Sequence, residues 1–494
     1  MMREFLEISN NTFFLYYLVS NLSYLALLIA ALLSSRAHHQ HLASLRLERM
    51  KSSPLTPPIT LIVPAHNEEA SIVPSVLSLL RVDYPELEVL VVNDGSDDRT
   101  LARLQEEFDL RPARLLYISE LATAPVRGVY RSVVDPRLVV VDKDASGSKA
   151  DAVNAGLNAA SSPYTCVVDS DSMLESDALL RIMVTILEDP KRVVAAGGIV
   201  RVLNGCELVN GRIRRVRLPR SPIVIFQVIE YLRAFLIGRE GWASGNMLTI
   251  ISGAFGVFRR DVVMRVGGYR AETIGEDFDL VARIHRKMLD EKQDYRITFV
   301  PDPVCWTEVP HTVHSLGRQR ARWQKGLMDV LWSNRGMLFR RRYGRMGALA
   351  LPYMWLFEWF APVIELLGIA TILIALSLGA LSHSFLIEFM IYGYLFAAMI
   401  SVGAVLQEEI TYRRYNDWRD VARLILYCFL EQFPYRQMHL IWRLKGMWQY
   451  VRGDVVWRPI ERAGLEGATR DNSPRPGKRA HVLEQNPAKD RARP

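Results

Sequence analysis

From Ile8 to Ser35 the chain carries no Asp, Glu, Lys or Arg, and this feature limits the fold more than any other. A helix over its apolar core, Thr12 to Leu33, is long enough to cross a hydrocarbon layer of roughly 30 Å. A cleaved export signal is the competing reading. It asks for a shorter apolar run behind a basic leader, whereas Arg3 here stands against Glu4 and Glu7. Arg36, Arg46, Arg49 and Lys51 follow the run. By the positive-inside rule residues 1–36 are then an N-terminal transmembrane anchor whose far end lies in the cytoplasm.

The pattern changes over residues 54–345. Ile59–Val63, Glu88–Val92, Arg137–Val141, Tyr164–Val168 and Arg192–Ala196 are short apolar runs that read as buried strands, and Ala70–Leu80 and Ser148–Ala160 read as crossover helices. Such alternation predicts an α/β domain with a mainly parallel sheet, which binds ligands beyond the C-terminal ends of its strands.

Residues 346–462 are apolar again. Ala348–Phe360, with Pro352 and Glu358, suits an interfacial helix. Leu366–Ile387 and Phe389–Gln407 suit a membrane hairpin turning at Ser382-His383-Ser384. Val421–Arg443 fits a third C-terminal span, a re-entrant element or an interfacial helix. The tail, residues 463–494, has the composition of a disordered segment.

The whole-chain averages, 50% hydrophobic and 23% charged over 494 residues, therefore blend two populations. Cys166, Cys206, Cys305 and Cys428 are scattered, with neither disulfide nor zinc spacing. A net charge of +8 is compatible with nucleic acid, anionic lipid or a phosphorylated substrate. Its position decides: Arg318 to Arg345 holds nine Arg and Lys against one acid, Asp329. No nucleic-acid-binding motif accompanies it, so no nucleic acid partner is expected.

Four constellations carry candidate chemistry. Val63-Pro-Ala-His-Asn-Glu-Glu69 and Val91-Val-Asn-Asp-Gly-Ser-Asp-Asp98 each follow a strand. Asp94 suits a nucleobase or ribose donor group, although Asn-Asp-Gly-Ser is also ordinary turn material. Asp169 and Asp171 end a strand at i and i+2, which would set two carboxylates side by side and favour a hard divalent ion. Gly275-Glu-Asp277 opens a helix, where acids either complement the helix dipole or supply a general base. In Gln319-Arg-Ala-Arg322-Trp323, helical spacing puts Gln319, Arg322 and Trp323 on one face, suited to a diphosphate and a sugar ring or to a membrane surface.

Taken together and in order, these pieces resemble the membrane-embedded processive glycosyltransferases of family 2, the group of cellulose, hyaluronan, chitin-oligosaccharide and poly-N-acetylglucosamine synthases. The resemblance implies a GT-A-type nucleotide-sugar domain flanked by transmembrane and interfacial helices. It implies a nucleoside pocket at Ala65, Glu68 and Asp94, and donor contacts at Lys149, Asn154, Asp169, Gln319 and Arg322. Asp169 and Asp171 match the metal-binding D-x-D, for Mg²⁺ or Mn²⁺. Asp277 matches the catalytic base, Trp323 the acceptor platform, and Ser252-Gly253 the loop at the acceptor's terminal sugar. Trp457 and Arg462 resemble a C-terminal segment that reaches the donor site, and equally suit an interfacial anchor.

The implied activity is inverting, metal-dependent and processive transfer from a UDP-sugar, with N-acetylglucosamine as first choice, to a growing β-linked exopolysaccharide. The implied place is the plasma (inner) membrane, with the catalytic domain cytoplasmic. Expected partners are the UDP-sugar donor, the polysaccharide acceptor, the lipid bilayer and accessory export subunits. Non-processive transfer to a lipid-linked or protein acceptor, and a non-enzymatic membrane scaffold, are the alternatives.

Overall fold

The computed structural model describes residues 2–454 except 45–46, 115–116, 118, 210–211, 380–382 and 416. The expected disordered tail and the Trp457 and Arg462 segment lie outside the described residues. The strands are β1 (Ile59–Ala65), β2 (Leu87–Asp94), β3 (Leu110–Pro112), β4 (Val126–Ser132), β5 (Leu138–Lys143), β6 (Tyr164–Val167), β7 (Ser172–Leu174), β8 (Val193–Val202), β9 (Glu207–Val209), β10 (Arg212–Arg215), β11 (Gly256–Arg259) and β12 (Arg296–Thr307). All but the β9–β10 hairpin join one sheet, in the order β3-β4-β5-β2-β1-β6-β11-β8-β12-β7.

Strands β5, β2, β1 and β6 form a contiguous parallel block, and β8 and β12 are a second parallel pair. Burial on both faces explains why these strands read as unbroken apolar runs; every residue of β5, β6 and β8 is buried. Antiparallel strands complete both edges, and β11 runs antiparallel between β6 and β8. That reversal matters, because it brings the loop before β11 to the edge where the parallel strands end.

The helices used below are α1 (Met2–Ser44), α2 (Ile72–Leu80), α3 (Lys149–Ala159), α4 (Pro222–Leu232), α5 (Glu276–Asp290), α6 (Val313–Ser333), α7 (Ala361–Ser377), α8 (Phe396–Thr411), α9 (Trp418–Leu430) and α10 (Arg436–Val451). Helix α2 buries Ile72, Val76 and Leu79, an i, i+4, i+7 stripe against the sheet. Helix α3 lies so close to β1 that a β-carbon on Gly156 would stand 2.5 Å from Ile62 Cγ2.

Among the described residues, Ile8–Arg36 and Ile387–Thr411 are helical, long and apolar enough to cross a membrane. Met346–Trp359 and Ala361–Ser377 would pass as one broken span or a re-entrant loop, bent by 46°. Helix α7 ends at Ser377, before the expected turn, Gly379 follows at φ +57°, and His383 already opens the next helix. Val421–Arg443 is broken by an extended Phe433, and no described helix there is long and apolar enough to cross a membrane.

Candidate active site

The C-terminal edge of the parallel block gathers the candidate residues. Register pairs Asp94, the last residue of β2, with Lys143, the last of β5. Lys143 is fully buried and forms ion pairs with Asp94 and with Asp151, the latter at 2.8 Å. Ser146 donates to Asp94 through its N–H at 3.1 Å and its hydroxyl at 3.0 Å. The carboxylate that was expected to meet the nucleoside is thus first of all the anchor of the loop after β5. Gly95 allows this at φ +58°, where a β-carbon would lie 2.4 Å from the Ala145 nitrogen. Lys143 went unread in the sequence because a strand-terminal lysine looks like surface.

The loop after β1 is tied to the loop after β2. Asn67 N–H donates to Ser96 Oγ at 3.0 Å, and Glu68 N–H donates to Thr100 Oγ1 at 2.8 Å. Ala65 is buried at the start of this loop, and the Glu68 carboxylate accepts from Ser71. Ala65, Glu68 and Asp94 are therefore brought to one corner. Asn154 is not. Its amide is buried, donating to the Tyr269 carbonyl at 2.8 Å and accepting the Tyr269 N–H at 2.8 Å. This corrects the expected donor contact, since its polar atoms serve the backbone of another segment.

Strand β6 stops at Val167, so Asp169 and Asp171 stand in a turn and not on the strand. The expected side-by-side geometry is replaced by two environments: Asp169 is 27% exposed, and Asp171 is buried beside Ser172, whose hydroxyl donates to it at 3.5 Å. Lys149, the first residue of α3, forms an ion pair with Asp169 and reaches the Gly253 carbonyl at 3.4 Å. On the other side of the same residue, Gly253 N–H donates to Asp277 Oδ2 at 3.2 Å. Asp277 Oδ1 accepts the Phe278 N–H at 2.8 Å in the first turn of α5. A β-carbon on Gly253 would sit 3.2 Å from Lys149 Nζ and press on that ammonium. Asp169, Lys149, Gly253 and Asp277 thus form one continuous chain of contacts.

Charge in this cluster is tightly balanced. Burial lowers the Lys149 ammonium, but Asp169, Glu276 and Asp277 outweigh it and hold it above its usual range. Glu276 is raised, by burial first and then by the Asp277 charge, against the pull of Lys149 and Arg322. Arg239, which the sequence reading missed, is drawn down to about 10 by burial while the Asp277 charge acts in the opposite direction.

Helix α6 presents the last group. Gln319 and Arg322 are half-buried, with Gln319 Oε1 lacking a hydrogen-bond partner, and Trp323 is 44% exposed. The Arg320 guanidinium lies 4.1 Å from the Trp323 ring centroid and pairs with Glu230 of α4 at 2.8 Å. Arg320 lies outside the Gln319, Arg322 and Trp323 face that helical spacing predicts. Among the described residues no group of three or more His, Cys, Asp or Glu converges as a metal site.

The profile described as "Glycosyltransferase like family 2" matches residues 57–326, more than half of the chain. The chain belongs to glycosyltransferase family 2. This family 2 enzyme is 27% identical over 275 residues to the poly-beta-1,6-N-acetyl-D-glucosamine synthase of Staphylococcus aureus (strain COL), covering 55% of each chain. It is 26% identical over 275 residues to the synthase of the same name from Staphylococcus epidermidis, again 55% of each. The chain spans about half the length of these curated relatives. Among solved structures, a mannosyltransferase from Pyrobaculum calidifontis in complex with GDP-Man and Mn²⁺ aligns at TM-score 0.47 and 20% identity, over 83% of this chain and 99% of that one. Staphylococcus aureus TarS 1–349 aligns at TM-score 0.39 and 14% identity, over 77% and 91%. The family 2 domain has the α/β architecture expected from the sequence, with β5, β2, β1 and β6 as its parallel block.

Proposed function

We propose that this family 2 glycosyltransferase extends a β-linked exopolysaccharide at the plasma membrane, processively and with inversion, from a UDP-sugar, N-acetylglucosamine first among them. The observation that carries the reading is the contact chain Asp169–Lys149–Gly253–Asp277. It links a diphosphate-side cation to a carboxylate through one glycine. An acceptor hydroxyl seated near Gly253 would face Asp277, which takes its proton as the oxygen attacks the anomeric carbon. Lys149 and Arg322 meet the charge that develops on the leaving diphosphate. A single displacement inverts the anomeric centre. Ala65, Glu68 and Asp94 form the nucleoside corner, with Asp94 acting through the loop it anchors.

Asp169 and Asp171 fit a Mg²⁺ or Mn²⁺ ion. They are hard oxygen donors and would hold such an ion, with substrate oxygens and water as its further ligands. When bound, it supplies neutralisation of diphosphate charge.

Trp323 supports an acceptor platform, being exposed and fixed from behind by Arg320. Glu230, which holds Arg320, also lines a cavity of about 210 Å³ between α1, α4, α7, α8 and α10, with Tyr16, Tyr24 and Tyr435 among its walls. Phenols and carboxylates in contact with membrane-type helices suit a hydrated sugar chain leaving the platform.

The test is incubation of membranes with labelled UDP-sugars and Mg²⁺ or Mn²⁺, followed by product sizing. Long products from UDP-N-acetylglucosamine are expected. Products bearing a single added sugar would replace processivity with transfer to a lipid-linked or protein acceptor. Absence of turnover with every UDP-sugar would remove the donor class.

A further inference from the structure

The loop between α6 and the bent helix pair has a charge, shape and exposure that glycosyl transfer leaves unused. From Leu331 to Phe357 the chain contains no Asp or Glu, while Arg335, Arg340, Arg341, Arg342 and Arg345 are all exposed. Phe339 stands among them, 76% exposed. Its φ is +56°, a backbone setting that residues with a β-carbon rarely adopt. The loop is held in that setting: Phe339 N–H donates to the Gly347 carbonyl at 2.9 Å. Gly347 is itself packed so closely that a β-carbon would lie 2.5 Å from the Met337 carbonyl oxygen. The ring is therefore turned outward by a fixed loop.

Its surroundings say what it faces. Trp332, Leu349, Leu356 and Phe360 are all more than 40% exposed, and the last three belong to, or adjoin, the bent pair that qualifies as a broken span. Arg335 lies 4.6 Å from the Trp332 ring centroid, and Arg342 is tied to Asp290 at 2.8 Å. An acidic protein partner would account for the arginines but not for aliphatic side chains running onward into a membrane-type helix. A bilayer with anionic headgroups accounts for both.

We infer that residues 335–345 are a lipid-surface anchor specific for anionic headgroups. Phe339 enters the boundary between headgroups and acyl chains, and Arg340, Arg341 and Arg345 meet lipid phosphates around it. The inference rests on the chain being a membrane protein, and its test separates the two.

All four native cysteines are buried, so Phe339→Cys in the full chain offers one reactive thiol for an environment-sensitive dye. The protein is reconstituted in nanodiscs of phosphatidylcholine, with or without phosphatidylglycerol. In the anionic discs the dye should shift to the blue and be quenched by nitroxide-bearing lipid. Both effects should weaken in neutral discs and when Arg340, Arg341 and Arg345 are changed to Gln. Independently, the unlabelled chain carrying those three substitutions should co-purify with several-fold less phosphatidylglycerol than the unsubstituted chain. Equal quenching by aqueous iodide in both discs, with unchanged lipid co-purification, would overturn the anchor while leaving membrane insertion intact. A chain that failed to enter discs at all would instead overturn the membrane reading.

Discussion

At the scale of single residues, the site works through contacts between groups that the sequence scatters over more than a hundred positions. Asp277 is the sharpest case. On the proposed mechanism, Asp277→Asn keeps an oxygen to accept from Gly253 N–H but loses the base, so UDP release should fall by roughly 10²–10⁴-fold. UDP binding, measured by calorimetry, should persist. Lys149 touches Asp169 and the Gly253 carbonyl at once. Lys149→Met should raise the donor KM and lower kcat together, and Lys149→Arg should rescue poorly because a planar fork does not fit a point-charge site. Both changes are read by steady-state UDP release. Motif spacing singled out Asp277, Arg322 and Trp323 as candidates. Lys143 and Arg320 were not, because nothing local distinguishes a buried cation from a solvated one. Asn154 misled for the same reason in reverse: its neighbours look like a donor segment, yet its amide belongs to Tyr269.

At the scale of elements, the packing of α6 against α10 holds the Gln319–Trp323 face in place. A β-carbon on Gly446 would lie 2.5 Å from the Ala321 carbonyl oxygen, and one on Gly317 would lie 2.7 Å from Trp442 Nε1. At these two contacts the helices leave no room for a further side chain. Gly446→Val should therefore cost about 1–3 kcal/mol by overpacking. It should also lower turnover more than UDP affinity, since Trp323 shifts while the nucleoside corner stays. Thermal melting and the KM against kcat split check this. The parallel strands were readable from their doubly buried faces. Strand β11, four residues long, and the turn at Asp169–Asp171 were not, because tertiary pairing alone decides where so short a strand begins and ends.

At the scale of the whole molecule, the sheet is fastened to its membrane-type helices by buried charges. Arg201 of β8 and Glu408 of α8 form a pair with Nη2–Oε2 at 2.7 Å, both side chains almost wholly buried. Glu408→Gln leaves a buried guanidinium without its counter-charge and should cost about 3–5 kcal/mol, while replacing both partners with apolar residues should cost far less. Detergent-resistant thermal unfolding of the two variants separates these outcomes. A second fastening depends on pH. Burial pushes the Glu240 carboxyl up to about 8, and the Ser35 hydroxyl near the end of α1 donates to it at 2.8 Å. Its folded value exceeds the unfolded one, so folding takes up a proton. Stability from this site is full below about 4.5, declines as pH rises and is gone once pH passes about 8. Glu240→Gln should flatten that decline in melting temperature, measured across the same range.

The order of apolar runs and the spacing of acidic and basic residues were enough to establish an α/β transferase domain between apolar helices, because periodicity and burial are local properties of a chain. Partnership is not local. Which lysine is buried, which aspartate is exposed and which arginine stands behind a tryptophan follow from sheet register and helix contact. Residues such as Asp94 and Lys143, or Glu230 and Arg320, acquire their roles only when folding brings them together and removes the water between them.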